Sequence, residues 1–270
     1  MKIIGLIFVI AVFFSIFVSP VYATFISLTT TADVGTLEGN FSELNVKIQN
    51  FGDEAAFNLQ VSLISPENFQ SSKASLKRLD PNSTFNYTFN ITTADKLKDG
   101  KYPIVVFVEY ADANGYPFSA ITPSFINNKN YQESNVFGTI PELTLHGKEK
   151  KNLKIELKNF DTKEHSLTIN LFLPKEIKSS DNAKSVIINP KEEKSVEFET
   201  ENFGALVGSN YVVLASIEYD DGLHYSKFAQ GFLKIEKETV FMFDDRLLIG
   251  IAIALIIIFI YYETRKRKKK

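Results

Sequence analysis

Residues 44–63 read LNVKIQNFGDEAAFNLQVSL, and residues 153–172 read LKIELKNFDTKEHSLTINLF. The two stretches align at an offset of 109 residues. The same offset relates Pro81 to Pro190, Phe89 to Phe198, Tyr102 to Tyr211, and Glu109-Tyr110 to Glu218-Tyr219. So many matches at one spacing indicate that a single domain of about a hundred residues occurs twice.

Within each repeat, apolar residues alternate with polar ones, as is typical of half-buried strands. Leu44, Val46 and Ile48 share one face of the first such strand. The alternation recurs at Phe85, Tyr87, Phe89 and Ile91, and in the second copy at Val196 and Phe198. We therefore predict an all-β fold of two tandem immunoglobulin-like β-sandwiches with about seven strands each.

Turn signals separate the predicted strands at matching places in the two copies. They are Asn50-Phe51-Gly52-Asp53 with Asn159-Phe160-Asp161, Asp80-Pro81-Asn82 with Asn189-Pro190-Lys191, and the hairpin signals Asn114-Gly115 and Asp221-Gly222. Tyr102 and Tyr211 open a long strand in each copy. A tyrosine there can form a tyrosine corner, in which the hydroxyl bonds to backbone a few residues upstream.

These motifs resemble the CARDB and NEW3 type of immunoglobulin-like module, common in archaeal and bacterial envelope proteins. The resemblance rests on Asn50-Phe51-Gly52, on Asp80-Pro81-Asn82, and on Gly100-Lys101-Tyr102 leading into Glu109-Tyr110. The second copy departs from it, since Asp161 replaces the turn glycine and Ser209-Asn210 precede Tyr211. The resemblance implies a surface, adhesion or S-layer-associated role, by analogy.

The N-terminus has the layout of a secretory signal peptide. Lys2 precedes an apolar run from Ile3 to Val18, and Pro20 follows it. Small residues then predict cleavage between Ala23 and Thr24. The alternative is an uncleaved signal anchor, because the apolar run is slightly long.

The C-terminus is predicted to cross the membrane once. The run from Leu247 to Tyr262 holds no charged residue. A buried core helix is the alternative, but no polar residue marks an outer face. A basic tail follows, formed by Arg265, Lys266, Arg267, Lys268, Lys269 and Lys270. Positive charge beside a membrane helix places the tail in the cytoplasm and the N-terminal domains outside the cell, and it favours contact with membrane lipids.

The predicted organisation has six segments. They are a signal peptide (1–23), the first sandwich (24–130), the second sandwich (131–238), a juxtamembrane linker (239–246), a transmembrane helix (247–262) and a cytoplasmic tail (263–270).

Composition restricts the possible functions. The chain has no cysteine, which excludes disulfides and thiolate metal sites. Residues 24–246 carry 23 basic and 31 acidic side chains, a net charge of −8. An acidic exterior argues against binding nucleic acid.

Four N-glycosylation sequons occur, at Asn40, Asn82, Asn86 and Asn90, all in the first repeat. Asn86 and Asn90 lie on the face of their strand opposite Phe85 and Phe89, so we expect both to be solvent-exposed. Short motifs of this kind also arise as ordinary outward-facing strand residues.

No motif predicts catalysis, a cofactor or a metal site. His146, His165 and His224 lack metal-ligand spacing. Asp112-Ala113-Asn114-Gly115 resembles part of a calcium loop but lacks its distal ligands, so a hairpin turn is the better interpretation. We therefore expect a protein that is not an enzyme.

Two functions fit these features. The first is a single-pass cell-surface protein whose sandwiches form a short rod and act as an adhesion, scaffold or S-layer-associated module, contacting other envelope proteins or surface polysaccharide. The second is an accessory subunit of a membrane complex, such as a secretion or translocation machine.

Overall fold

The computed structural model describes residues 25–94 and 96–238, and beyond them the single positions Gly250, Ala254 and Ile258. The predicted signal peptide with its cleavage site at Ala23 and Thr24 lies outside the described residues. So do the basic tail from Arg265 to Lys270 and, apart from those three positions, the predicted anchor from Leu247 to Tyr262. Within the described part, no helix is long and apolar enough to cross a membrane.

Within the described residues, nine strands build the first sandwich. They are β1 (Leu28–Ala32), β2 (Gly35–Leu37), β3 (Phe41–Asn50), β4 (Ala56–Ile64), β5 (Phe69–Ser71), β6 (Ala74–Leu79), β7 (Thr84–Thr93), β8 (Gly100–Ala111) and β9 (Pro117–Asn128). One sheet has the order β1-β3-β7-β5. In the other, β8 pairs with β4 and β9, β6 pairs with β4, and β2 pairs in parallel with β9.

Nine more strands build the second sandwich. They are β10 (Val136–Thr139), β11 (Leu143–His146), β12 (Lys150–Asn159), β13 (His165–Phe172), β14 (Ile177–Ser179), β15 (Ala183–Ile188), β16 (Glu193–Asn202), β17 (Asn210–Asp221) and β18 (Leu223–Glu236). One sheet has the order β10-β12-β16-β14, and the other contains β15-β13-β17-β18 with β11 parallel to β18. A parallel bridge from His224 of β18 to Gly100 of β8 joins this sheet to the second sheet of the first sandwich, so together they form one ten-stranded sheet.

The all-β fold with sandwich-like sheets confirms the prediction from the alternating pattern. Leu44, Val46 and Ile48 all point into the first core, and Val196 and Phe198 point into the second. Burial of such apolar faces is the main term that stabilises the sheets.

The predicted strand number is too low. Seven strands per copy match the alternating runs, but each copy has two further strands of three or four residues. β2 and β11 arise because the first strand of each copy leaves one sheet and continues, after a break, in parallel beside the last strand of the other. Strands this short carry too little alternation to be recognised in a sequence.

Strands β8 and β17 bury residues on both faces. Ile104 and Val106 of β8 enter the first core, while Val105 between them points away from it. In β17, Leu214 likewise points away from the second core. The outer faces of the two strands meet in one buried apolar cluster, so the two sandwiches contact each other through these faces.

The turns and tyrosine corners form as the sequence predicts. The Tyr102 hydroxyl donates to the carbonyl of Lys98 over 2.8 Å. Tyr211 bonds to the backbone of Leu206. Asn82 and Lys191, at the same place in the two copies, both have left-handed backbone, with φ of 58° and 59°.

Candidate functional site

The junction between the sandwiches has an apolar centre and a polar group at each end. Val105 and Ile121 of the first sandwich pack with Phe172 and Leu214 of the second, and all four are buried. Phe107, Val212 and Phe228 cover their rim. This contact removes apolar surface from water and holds the two sandwiches against each other.

His224 lies at one end of this junction. It follows the β17–β18 hairpin, where Gly222 takes a φ of 76°. Its backbone N–H donates to the carbonyl of Asp99 in the first sandwich over 2.8 Å. A side chain at Gly100 would lie 2.2 Å from the carbonyl oxygen of His224, so only glycine permits this close approach.

The His224 ring is held between an aromatic ring and two carboxylates. It stacks on Tyr102 with centroids 4.3 Å apart and the planes nearly parallel. Nδ1 lies 2.9 Å from Oδ1 of Asp220. Nε2 lies 3.4 Å from Oε2 of Glu218 and is buried without a hydrogen-bond partner among the described residues.

The second carboxylate is itself fixed by polar neighbours. Oε1 of Glu218 accepts hydrogen bonds from Nδ2 of Asn170 at 2.8 Å and from Oγ of Ser216 at 2.5 Å. Glu218 is 5% exposed. Its other oxygen therefore points to His224 in a dry environment, where charge interactions are strong.

A third carboxylate reaches this end of the junction from the first sandwich. Glu67, in the loop between β4 and β5, places a carboxylate oxygen so that it, one from Glu218 and a ring nitrogen of His224 all lie within 4.8 Å of one another. We call these three residues the junction triad. The triad cannot be recognised in the sequence, because its members come from two sandwiches and share no motif spacing.

Burial and neighbouring carboxylates shift the pKa values of His224 and Tyr102 at this end of the junction. Burial of the ring lowers the pKa of His224, but the carboxylates of Glu218 and Asp220 outweigh burial and raise this pKa above its ordinary value. Burial also raises the pKa of Tyr102, and the charges of Glu67 and Asp220 raise it further.

The opposite end of the junction holds a second buried acid. Glu176, 6% exposed, accepts a hydrogen bond from Oγ of Ser119 over 2.5 Å. Ser119 in turn accepts one from the backbone N–H of Lys175. Burial raises the pKa of nearby Tyr110 to about 12, and the charge of Glu176 adds to it.

An open groove of about 850 Å³ lies on the outer face of the second sandwich, across β10, β12 and β16. Phe137 and Phe160 line it, with ring centroids 5.4 Å apart at 90°, and are 40% and 48% exposed. Lys158 and Glu193 pair beside them at 2.6 Å. We call this surface the aromatic groove.

The structure places the residues predicted from sequence as follows. Asn40, Asn82, Asn86 and Asn90 are all exposed, and Asn86 and Asn90 lie on the solvent side of β7 as expected. Asp112 forms a hairpin turn, since its carboxylate accepts from the backbone N–H groups of Asn114 and Tyr116. His165 pairs with Asp161 at 3.1 Å.

Comparison with known proteins identifies the first sandwich. Residues 26–113 match the family model described as CARDB, which confirms the resemblance there. No curated protein matches the chain.

Among solved structures, the chain is similar to the E. coli chaperone DraB, at 15% identity and a TM-score of 0.35, over 77% of this chain and 97% of that one. It is also similar to the YadV chaperone, at 12% identity and a TM-score of 0.31, over 75% of this chain and 98% of that one. A protein of unknown function from Porphyromonas gingivalis W83 matches at 10% identity and a TM-score of 0.31, over 77% and 99% of the two chains.

Proposed function

We propose that this chain is a non-enzymatic, single-pass cell-surface protein that presents its two sandwiches as one interaction module for other envelope proteins. The CARDB match supports a surface or interaction role for the first sandwich. The predicted signal peptide and membrane helix support display outside the cell.

The aromatic groove is the observation that carries the proposal. Two large aromatic rings remain open to solvent, Phe137 on β10, the edge strand of its sheet, and Phe160 just after β12. Aromatic side chains are enriched where proteins bind partners, and an edge strand offers backbone groups for pairing. The neighbouring charges are of both signs, which suits a protein segment of mixed charge.

Site-specific photo-crosslinking in the source cells tests this role. A photoreactive residue replaces Phe160 in one variant and Phe51 in the other. Phe51 is the matching residue of the first repeat and is similarly exposed, at 54%, but it lies outside the aromatic groove. We expect a discrete crosslinked protein from position 160 alone. Equal patterns from both positions would contradict the proposed groove.

Two further measurements test topology and the alternative role. Protease added to intact cells should cleave the region 24–246 and spare the basic tail, and the reverse pattern would contradict display outside the cell. Purification of the full chain in mild detergent should yield no stoichiometric membrane partner. A partner at a one-to-one ratio would favour the accessory-subunit function.

A further inference from the structure

We propose that the junction triad of Glu67, Glu218 and His224 binds a divalent transition-metal ion, with zinc as the best match, and that the ion links the two sandwiches. The proposal concerns the junction and is independent of what the aromatic groove binds.

The donor set suits zinc. One imidazole nitrogen and two carboxylate oxygens are zinc ligands, and water can take the fourth position. Nε2 of His224 and Oε2 of Glu218 are 3.4 Å apart. In a tetrahedral site with bonds of about 2.0–2.1 Å, neighbouring ligand atoms are about 3.3 Å apart. Calcium and magnesium prefer oxygen ligands alone, so the imidazole favours a transition metal.

The state of the His224 ring points to a ligand independently of the cluster. The residue is 9% exposed, and its Nε2 has no hydrogen-bond partner within the described part of the chain. A buried polar atom left in this way requires an explanation, such as an ion. Stacking on Tyr102 and the Asp220 contact to Nδ1 fix the ring so that Nε2 faces Glu218.

The supporting residues resemble the outer shell of a metal site. A metal-binding histidine usually offers its other ring nitrogen to a carboxylate, and Asp220 supplies that carboxylate. Asn170 and Ser216 hold one oxygen of Glu218 and leave the other for the ion. Asp220 is held in turn by Lys98 of the first sandwich at 2.6 Å.

The site draws its ligands from both sandwiches. Glu218 and His224 belong to β17 and β18, and Glu67 belongs to the β4–β5 loop. Zinc would therefore bind the packed arrangement more tightly than separated sandwiches, and binding would stabilise the junction.

The test uses the full chain without a polyhistidine tag, purified in mild detergent, stripped with a chelator and titrated with Zn²⁺ alone. We expect one ion per chain by calorimetry. The midpoint of thermal unfolding should rise by about 5–10 °C at a zinc concentration a hundred times the dissociation constant. Mg²⁺ should cause no rise. Co²⁺ should give the visible absorption of a tetrahedral site.

Three variants locate the ion. Glu67→Gln and His224→Gln should each weaken zinc binding at least tenfold, as loss of one of three protein ligands requires. Glu67→Gln keeps the size of a half-buried loop side chain, so the variant should fold, and its own metal-free melting midpoint is the reference for its response to zinc. His146→Gln is the matched control, because His146 also lies near a carboxylate, 3.9 Å from Glu236.

Zinc binding that persists in Glu67→Gln and His224→Gln would overturn the proposal, as would its loss in His146→Gln. The absence of stoichiometric binding to the wild-type chain would overturn it as well.

Discussion

Two buried asparagines hold the same turn in the two repeats. Nδ2 of Asn50 donates to the carbonyls of Glu54 and Leu79, and its Oδ1 accepts from the N–H of Gly52. Asn159 makes the same three kinds of bond in the second copy. Both residues are 0% exposed. Each side chain therefore pairs backbone groups that water cannot reach.

Replacing Asn159 by alanine should destabilise the second sandwich by about 2–4 kcal/mol, since two carbonyls and one N–H lose their buried partner. Urea unfolding of the full chain in detergent measures the loss. Asn152→Ala is the control. Asn152 is an exposed asparagine of the same strand whose side chain donates to the carboxylate of Glu197, so its replacement should cost less than about 0.5 kcal/mol. Equal losses would show that the buried bonds contribute nothing.

At the scale of elements, the packing around the turn after β3 explains why the first copy has glycine where the second has aspartate. A side chain at Gly52 would lie 2.3 Å from the carbonyl oxygen of Phe25, because residues 25–27 run directly over this turn. The N–H groups of Phe51 and Asp53 bond to that segment. In the second copy Asp161 occupies the same position and pairs with His165.

Replacing Gly52 by aspartate, the residue of the second copy, should displace residues 25–27 and lower the melting midpoint by several degrees, because backbone atoms must move. Asp161→Gly should cost less, since it removes one ion pair and the bond from the Thr162 N–H and adds no clash. Thermal unfolding followed by circular dichroism compares the two. A larger loss in Asp161→Gly would contradict this account of the turn.

Most of the longer strands and the turns could be predicted from the sequence, because alternation and turn residues are local signals. Leu44 to Ile48, the turn at Asn50 and the corner at Tyr102 all follow from them. Gly100 shows that contacts between distant segments cannot be predicted from such local signals. Its motif predicted a strand entry, yet its lack of a side chain also admits the backbone of His224, a contact between distant segments. The junction triad was missed for the same reason, since Glu67 and Glu218 meet only when two folded sandwiches pack together.

At the scale of the whole molecule, the folded protein should lose stability in alkali. Tyr110 has its pKa raised to about 12 in the folded protein, against about 10 when unfolded. Folding favours the neutral phenol, so Tyr110 ionises in the unfolded chain at a lower pH than in the folded protein. Its contribution to the free energy of unfolding is therefore complete below about pH 10 and is lost as the pH rises towards 12. The loss amounts to about 2–3 kcal/mol.

Urea unfolding between pH 8 and 11.5 measures this loss. Tyr110→Phe cannot ionise at this position, so its stability should fall less steeply than that of the wild type. The decline should not vanish, because burial also raises the pKa of Tyr211 and Tyr219. Tyr131→Phe, at a residue 48% exposed, should follow the wild type. Parallel curves for wild type and Tyr110→Phe would contradict the assignment.

The apolar centre of the junction should decide whether the sandwiches act as one body. Leu214 is fully buried on the outer face of β17, while its neighbours Val213 and Ala215 fill the core. Leu214→Glu therefore places a charge in the junction and leaves the core residues in place. We expect the second sandwich to stay folded and the two sandwiches to separate.

Spin labels measure this separation directly. The chain contains no cysteine, so Lys77→Cys and Asn152→Cys introduce one labelling site in each sandwich without background. In stripped, metal-free protein, the distance distribution should be narrow for the wild type and longer and broader for Leu214→Glu. Ile187→Glu, at a residue 52% exposed on β15, should leave it unchanged. A narrow, unshifted distribution in Leu214→Glu would mean that the polar ends of the junction suffice to hold the sandwiches together.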